Sequence, residues 1–411
     1  MQRPKHLPHS PHARHASRSE HPRHPRQPQH SPHSERSQHP RPEPLEEIRK
    51  SFKVKWRRCP IEAPVLRGLT ARSDLQGFLQ TIGFLLILAA TGTATWLFFD
   101  HRLWVGFAVA LFLHGTVYGF VGSGIHEFSH GTVFRTKWLN TFFLYLYSLI
   151  SWFNPKDFKI SHTYHHLYTL HPRGDREVVL PTKPSLFVLH VLQLLTVNIR
   201  GGLREPYSYP LAQNVWAFVR LAFSGRQGKE WLKAVYEGHG DELRRAANWA
   251  RIVLVFNAAL IAITIVFRVW PLALIVVLGV FIAQWWRYFV FVPMHTGLED
   301  NVDDFRLCVR SITLDPVSHF LYWRMNWHIE HHMFAAVPCY RLRALHKAVA
   351  ADMPTPRTLL GAWVEMRKIW RRQRAEPGYQ FETPLPRPRD VKGRDKALEA
   401  AIGDLAPGSI E

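Results

Sequence analysis

The run Gly77–Phe99, GFLQTIGFLLILAATGTATWLFF, contains no charged residue. At about 1.5 Å of rise per residue, about 20 such residues cross the roughly 30 Å hydrocarbon layer of a bilayer, so the run reads as a transmembrane helix. Asp100-His101-Arg102 interrupts it, and a second apolar run follows from Leu103 to Val121. So short a connection makes the pair a tight helical hairpin. Ile252–Phe267 and Val269–Val292, separated by Arg268, repeat the arrangement, with Pro271 placed to open the last helix. The pattern predicts an all-α integral membrane protein: four transmembrane helices in two hairpins, with a helical cytoplasmic cap. Gln284 and Arg287 in the last run should face an interface or a polar interior, and Trp285, Trp286 and Tyr288 suit an interfacial aromatic belt.

Both hairpin turns fall on one side, which leaves the N-terminus, residues 125–249 and the C-terminus on the other. Residues 125–249 hold 15 Lys/Arg against 9 Asp/Glu, and the C-terminal region is also rich in Arg. The positive-inside bias places all of this, and both termini, in the cytoplasm of a multi-pass protein, consistent with a bacterial inner membrane. Trp138–Phe153 and Leu186–Ile199 are apolar but short, and read as interfacial helices.

The chain has 411 residues and a formal charge of +20. No recognisable nucleic-acid-binding module accompanies that charge, so it reads as topology and attraction to the membrane surface. The three cysteines, Cys59, Cys308 and Cys339, have neither paired nor zinc-type spacing. Residues 1–44 carry 10 of the 29 prolines and 9 of the 25 histidines, a composition expected to be disordered, with no apolar core of the kind a secretory signal needs. Residues 45–75 are a basic pre-membrane segment expected to form a surface helix leading into the membrane, 76–350 the main membrane domain, and 351–411 a basic cytoplasmic region whose last part is expected to be disordered.

Sixteen histidines lie outside the tail. HEFSH carries His126 and His130, HTYHH carries His162, His165 and His166, and HIEHH carries His328, His331 and His332. Helical positions i, i+3 and i+4 share a face, so each box presents two or three imidazoles in one direction. All three boxes sit on the predicted cytoplasmic side, near membrane exits. A catalytic zinc uses about three protein ligands, whereas eight imidazoles suit two ions with four or five nitrogens each.

HxxxH, HxxHH and HxxHH flanking two apolar hairpins resembles the membrane fatty acid desaturase superfamily, which also contains hydroxylases and ketolases. The resemblance covers roughly residues 75–350. It implies a non-haem di-iron centre, two Fe ions held by histidines, that uses O2 to take hydrogen from an unactivated C–H bond of a lipid-like substrate. His126 and His130 match the first box, His162, His165 and His166 the second, and His328, His331 and His332 the third. His295, directly after the fourth apolar run, stands where family members place a further histidine ligand. Two departures separate the chain from animal acyl-CoA members: Phe291 replaces an Asn, and the first box is HxxxH rather than HxxxxH. The shorter box occurs among acyl-lipid desaturases and carotenoid-modifying members, which favours an acyl chain carried on a lipid.

Glu127, Asp175, Asp303, Asp304 and Glu330 are candidates to orient these imidazoles, since a ligating histidine usually donates its other N–H to a carboxylate or carbonyl. His114, inside the second run, reads as polar lining or packing. His101 and His190 have no argument beyond presence, and His319 is out of phase with the third box. No haem-binding, CxxC or dinucleotide motif is present; His171-Pro172-Arg173-Gly174 only echoes a cytochrome b5 motif. Electrons are therefore expected from a separate donor, ferredoxin-like or similar, with its reductase. Two alternatives stand beside desaturation: hydroxylation of a lipid, carotenoid or alkane on the same scaffold, and a zinc-dependent membrane hydrolase, which leaves five or six histidines unexplained.

Overall fold

The computed structural model describes residues 43–175, 177–178, 187–201 and 210–386. The tail 1–44, save its last two residues, and the end of the C-terminal region from 387 onward lie outside the described residues.

A short helix α1 (Leu45–Ser51) and α2 (Ala63–Thr70) flank an extended segment, so residues 45–75 are not the one surface helix their composition suggests. α3 (Asp74–Asp100) opens on Ser73, whose hydroxyl accepts the Gln76 N–H. It ends with Arg102 in the left-handed region (φ 58°), and Leu103 N–H donates to the Phe98 carbonyl at 2.9 Å, the six-to-one bond that satisfies carbonyls at a helix end. α4 (Trp104–Tyr118) returns alongside and continues through Gly119–Phe120 into α5 (Val121–Ser129). α6 (Lys137–Ile150) and α7 (Pro155–Tyr168) follow, then α8 (Val188–Leu195), α9 (Leu211–Ser224), α10 (Glu230–Val235) and α11 (Gly240–Val266). Arg268 (φ 57°) closes α11 as Arg102 closes α3, with Val269 N–H donating to Thr264 O at 2.8 Å.

Among the described residues, three helical stretches are long and apolar enough to cross a membrane: Asp74–Asp100, Trp104–Ser129 and Gly240–Val266. The fourth apolar run is not one helix. It consists of a π-turn at Ala273–Val277, a 3-10 turn at Gly279–Phe281, an extended Ile282 and a short helix α12 (Trp285–Phe291). The break has a tertiary cause. Ile282 bridges to Val197, Asn198 N–H donates to Phe281 O at 2.8 Å, and Ala283 N–H donates to Thr196 O at 2.8 Å. Gln284 completes the patch by accepting from Asn198 Nδ2 at 2.9 Å. Gly115 on α4 lets this segment approach, because a Cβ there would lie 2.5 Å from the Ile282 carbonyl oxygen.

The remaining elements are short: α13 (Phe305–Cys308), α14 (Pro316–Leu321), α15 (His328–Met333) and α16 (Leu342–Val349), then the longer α17 (Leu359–Ala375). A two-residue parallel pair, β1 (Ile312–Thr313) with β2 (Arg357–Thr358), is the whole of the sheet among the described residues. The core is aromatic: Phe84, Phe128, Phe134, Tyr147 and Trp323 are fully or almost fully buried. Trp138 and Phe142 on α6, and Val188, Leu189 and Leu192 on α8, are large apolar side chains left exposed.

Candidate metal centre

Four segments deliver the histidines. α5 carries His126, with His130 at its C-cap. Gly124 permits the fit of α5 against its neighbours, since a Cβ would stand 2.7 Å from the Tyr147 ring and 2.8 Å from Trp323. α7 begins at Pro155, capped by Asn154 Oδ1 accepting from Lys156 N–H, and carries His162, His165 and His166. α15 carries His328, His331 and His332; its first turn is held by Ser311 Oγ, which accepts the Ile329 N–H at 3.0 Å. His295 ends the 3-10 turn Val292–Met294.

All nine imidazoles converge, and they divide into two groups. In the first, His126, His130, His162, His166 and His331 place one nitrogen each within 4.8 Å of one another. His162 Nε2 stands 3.0 Å from His130 Nε2 and 3.1 Å from His166 Nε2. In the second, His165, His295 and His332 likewise place one nitrogen each within 4.8 Å of one another. His328 Nε2 adjoins them at 3.0 Å from His295 Nε2 and 3.2 Å from His332 Nε2. The groups touch where the His166 and His332 rings stack, centroids 4.3 Å apart.

The outer nitrogens explain why the inner ones face each other. His162 Nδ1–H donates to Glu177 at 2.7 Å, His165 Nδ1–H to Asp175 at 2.9 Å, and His126 Nδ1–H to Glu127 at 3.0 Å. His295 Nδ1–H donates to the Cys308 carbonyl at 3.2 Å. Thr169 Oγ1 donates to the His165 carbonyl and accepts His332 Nδ1–H at 3.1 Å, linking the second box to the third. A proton on Nδ1 leaves a lone pair on Nε2. Several lone pairs therefore point at one another in a buried space, and Nε2 of His126 and of His331 is buried without a hydrogen-bond partner. Such a donor set fits a cation better than it fits itself, and neutral imidazole is the form that ligates.

Electrostatics agree. Burial, reinforced by neighbouring imidazoles, holds His162, His166, His328, His331 and His332 well below the usual histidine range. The same causes push His130 down to about 4 and His295 to about 3. His165 is the exception: burial lowers it, but the charge and hydrogen bond of Asp175 more than compensate and it is raised. Burial lifts Glu177 to about 7.

Of the expected orienting carboxylates, Glu127 and Asp175 touch box histidines. Asp304 instead caps α13 and forks onto Arg306, and Asp303 offers its backbone carbonyl to Arg57. Glu330 accepts from Ser311 Oγ at 2.6 Å and pairs with His346 at 2.5 Å. Sequence reading missed Glu177, Thr169 and the Cys308 carbonyl. Thr169 and Glu177 follow His166 of the second box by three and eleven residues, a signal that could have been used; a carbonyl carries none. His114 bridges helices, within 2.9 Å of Thr91 Oγ1 and 3.0 Å of Ile275 O, and belongs to the packing. His319 pairs with Asn326, and His190 is buried against Tyr288. His171 meets the Thr169 carbonyl with one ring nitrogen. His101 caps the exposed end of α3.

A family model described as fatty acid desaturase matches residues 102–361, which include all nine of these histidines. Comparison with the curated proteins finds no match.

Proposed function

The chain belongs to the fatty acid desaturase family, and on that premise we propose that it is a membrane oxidoreductase that introduces a double bond into the fatty acyl chain of a lipid. The observation that carries this reading is the pair of adjoining imidazole groups, whose inner nitrogens face each other while carboxylates, a hydroxyl and a carbonyl occupy outer ones. His126, His130, His162, His166 and His331 would hold one iron, and His165, His295, His328 and His332 the other. Two irons bound there would supply the activation of O2 and the removal of hydrogen from an unactivated C–H bond.

The chain's own residues hold the site rigid and dry. Asp175, Glu177 and Glu127 fix the tautomers of three imidazoles, and Thr169 couples the second box to the third. The burial of all but the first group's His130 and His166 keeps water from competing at the ligand positions. The apolar helices offer the acyl chain a hydrocarbon environment. The broken segment 271–291 would supply the fourth crossing, so that two hairpins place both termini in the cytoplasm, in a bacterial inner membrane. Electrons would come from a separate ferredoxin-like protein and its reductase.

Mass spectrometry of total lipids tests the reading in cells expressing the intact chain or its His165→Ala variant. A lipid two hydrogens lighter, made only by the intact chain, is the expected product. One oxygen heavier would reassign the scaffold to hydroxylation, and a purified protein holding zinc without iron would end the oxidoreductase reading.

A further inference from the structure

Residues 52–60 run without helix between α1 and α2, and their side chains alternate. Lys53, Lys55 and Arg57 are exposed, while Phe52, Val54 and Trp56 are half-buried and pack on the core. This is the period of two of an extended backbone. The strap is pinned along its length. The Tyr168 hydroxyl donates to Phe52 O at 2.9 Å, and Trp56 Nε1–H donates to Leu167 O at 2.9 Å. Arg57 N–H donates to Asp303 O at 2.8 Å, and Cys59 N–H points at Met333 Sδ at 3.0 Å. Leu167 and Tyr168 end the helix of the second box, and Met333 directly follows His332. The strap thus lies across the ends of two box helices, and it precedes the family match, which starts at residue 102.

Its two faces suit one task. Inward, the Trp56 ring stacks on Phe305 with centroids 3.9 Å apart and planes 11° from parallel, and Phe305 lies 5.6 Å from the His332 ring. Three rings lead from a partly exposed tryptophan to a candidate ligand. Outward, Lys53 and Lys55 have no acidic partner among the described residues, and Arg57 approaches Asp304 no closer than 3.9 Å. Removing two hydrogens from a substrate with one O2 yields two waters only when two further electrons and two protons arrive, so a reductant must dock within reach of the irons. Anionic lipid headgroups would also be drawn to the cations, but they leave the ring stack beneath without a use.

The geometry points to the strap as the docking surface for an acidic one-electron donor protein, with Trp56 and Phe305 as the electron's way in; this rests on the di-iron reading. Opposite charge across such a contact speeds encounter and makes binding salt-dependent. The test uses the full chain in detergent and, as probe, an acidic [2Fe–2S] ferredoxin reduced through its reductase. For Lys53→Glu/Lys55→Glu the ferredoxin Kd at low salt should rise about tenfold and lose most of its salt dependence, with iron content unchanged. Trp56→Leu should slow oxidation of bound ferredoxin by O2 at an unchanged Kd, and Trp56→Phe should restore much of the rate. An unchanged Kd in the double variant, or an intact chain that does not bind ferredoxin, overturns the proposal. So does a variant that binds ferredoxin normally but loses affinity for phosphatidylglycerol vesicles. An iron-free preparation would sink the di-iron reading instead, and the Kd measurement remains separate from it.

Discussion

Asp175 receives the Nδ1–H of His165 at 2.9 Å on one carboxylate oxygen, which also accepts the Leu170 N–H. Its other oxygen accepts the backbone N–H groups of Glu177 and Val178 at 2.9 and 3.0 Å. Three amides therefore hold a buried anion in place, and the anion decides which His165 nitrogen faces His295 and His332. Asp175→Asn keeps the shape but lets an amide N–H face His165, which favours the opposite tautomer. Loss of such a partner typically costs 10–100-fold in metal affinity. The variant should purify with clearly less iron than the parent at equal yield and helical content, and full iron loading would refute the assigned role.

Acid should destabilise the metal-free protein steeply. His130 at about 4 and His295 at about 3, with five further box histidines held below their ordinary range, bind fewer protons folded than unfolded. Depressed histidines contribute stability that is present above the unfolded value of about 6.5 and is lost as pH falls towards the folded values. At pH 5 each fully depressed histidine costs about 2 kcal/mol. His165, with its raised value, works in the opposite direction, as does Glu177 at about 7, whose raised value removes stability as pH climbs from about 4.5 to 7. The histidines outnumber these two, so the melting temperature of metal-free protein should fall from pH 7 to pH 5. A flat profile over that interval would show that the cluster is solvated or already charged.

Gly115→Ala should be far worse than an ordinary helix Gly→Ala, which stabilises by removing backbone freedom. Here the added methyl meets the backbone carbonyl of Ile282, an atom that cannot rotate away. Overpacking of this kind costs about 1–3 kcal/mol. Gly68, which has open space around its Cβ position, is the control. Thermal unfolding in detergent should show Gly115→Ala falling several degrees below the parent while Gly68→Ala stays level or rises.

The helical membrane character and the nine histidines were legible because both write periodic or repeated signals into the chain: long apolar runs, and imidazoles at three- and four-residue spacings. The fourth run misled for a physical reason. After Pro271 the run Val269–Val292 holds no helix breaker stronger than Gly279, which costs a helix about 1 kcal/mol; the extended segment is fixed by backbone pairing with Thr196–Asn198, some 85 residues earlier in the chain. Composition also hid the strap, since FKVKWRR reads as a basic helix until its alternating exposure is seen. Of the orienting groups, Asp175 and Glu127 were visible as carboxylates near boxes. Glu330 was misassigned because adjacency in HIEHH says nothing about direction, and it turns to Ser311 and His346.

Thr169 orients His332 through a hydroxyl, and it offers the sharpest separation of hydroxyl chemistry from packing. It is fully buried, and its Oγ1 both donates to the His165 carbonyl at 2.6 Å and accepts from His332 Nδ1 at 3.1 Å. Thr169→Val preserves the volume and strands both partners, a loss of about 1–3 kcal/mol for buried groups left unpaired. It also frees His332 to rotate or change tautomer, so retained iron should drop along with stability. Thr169→Ser removes a methyl but keeps the hydroxyl, and should lose some stability while holding iron at the parental ratio. If the two variants lose iron equally, packing rather than the hydroxyl governs His332. If neither loses iron, His332 needs no partner at Nδ1.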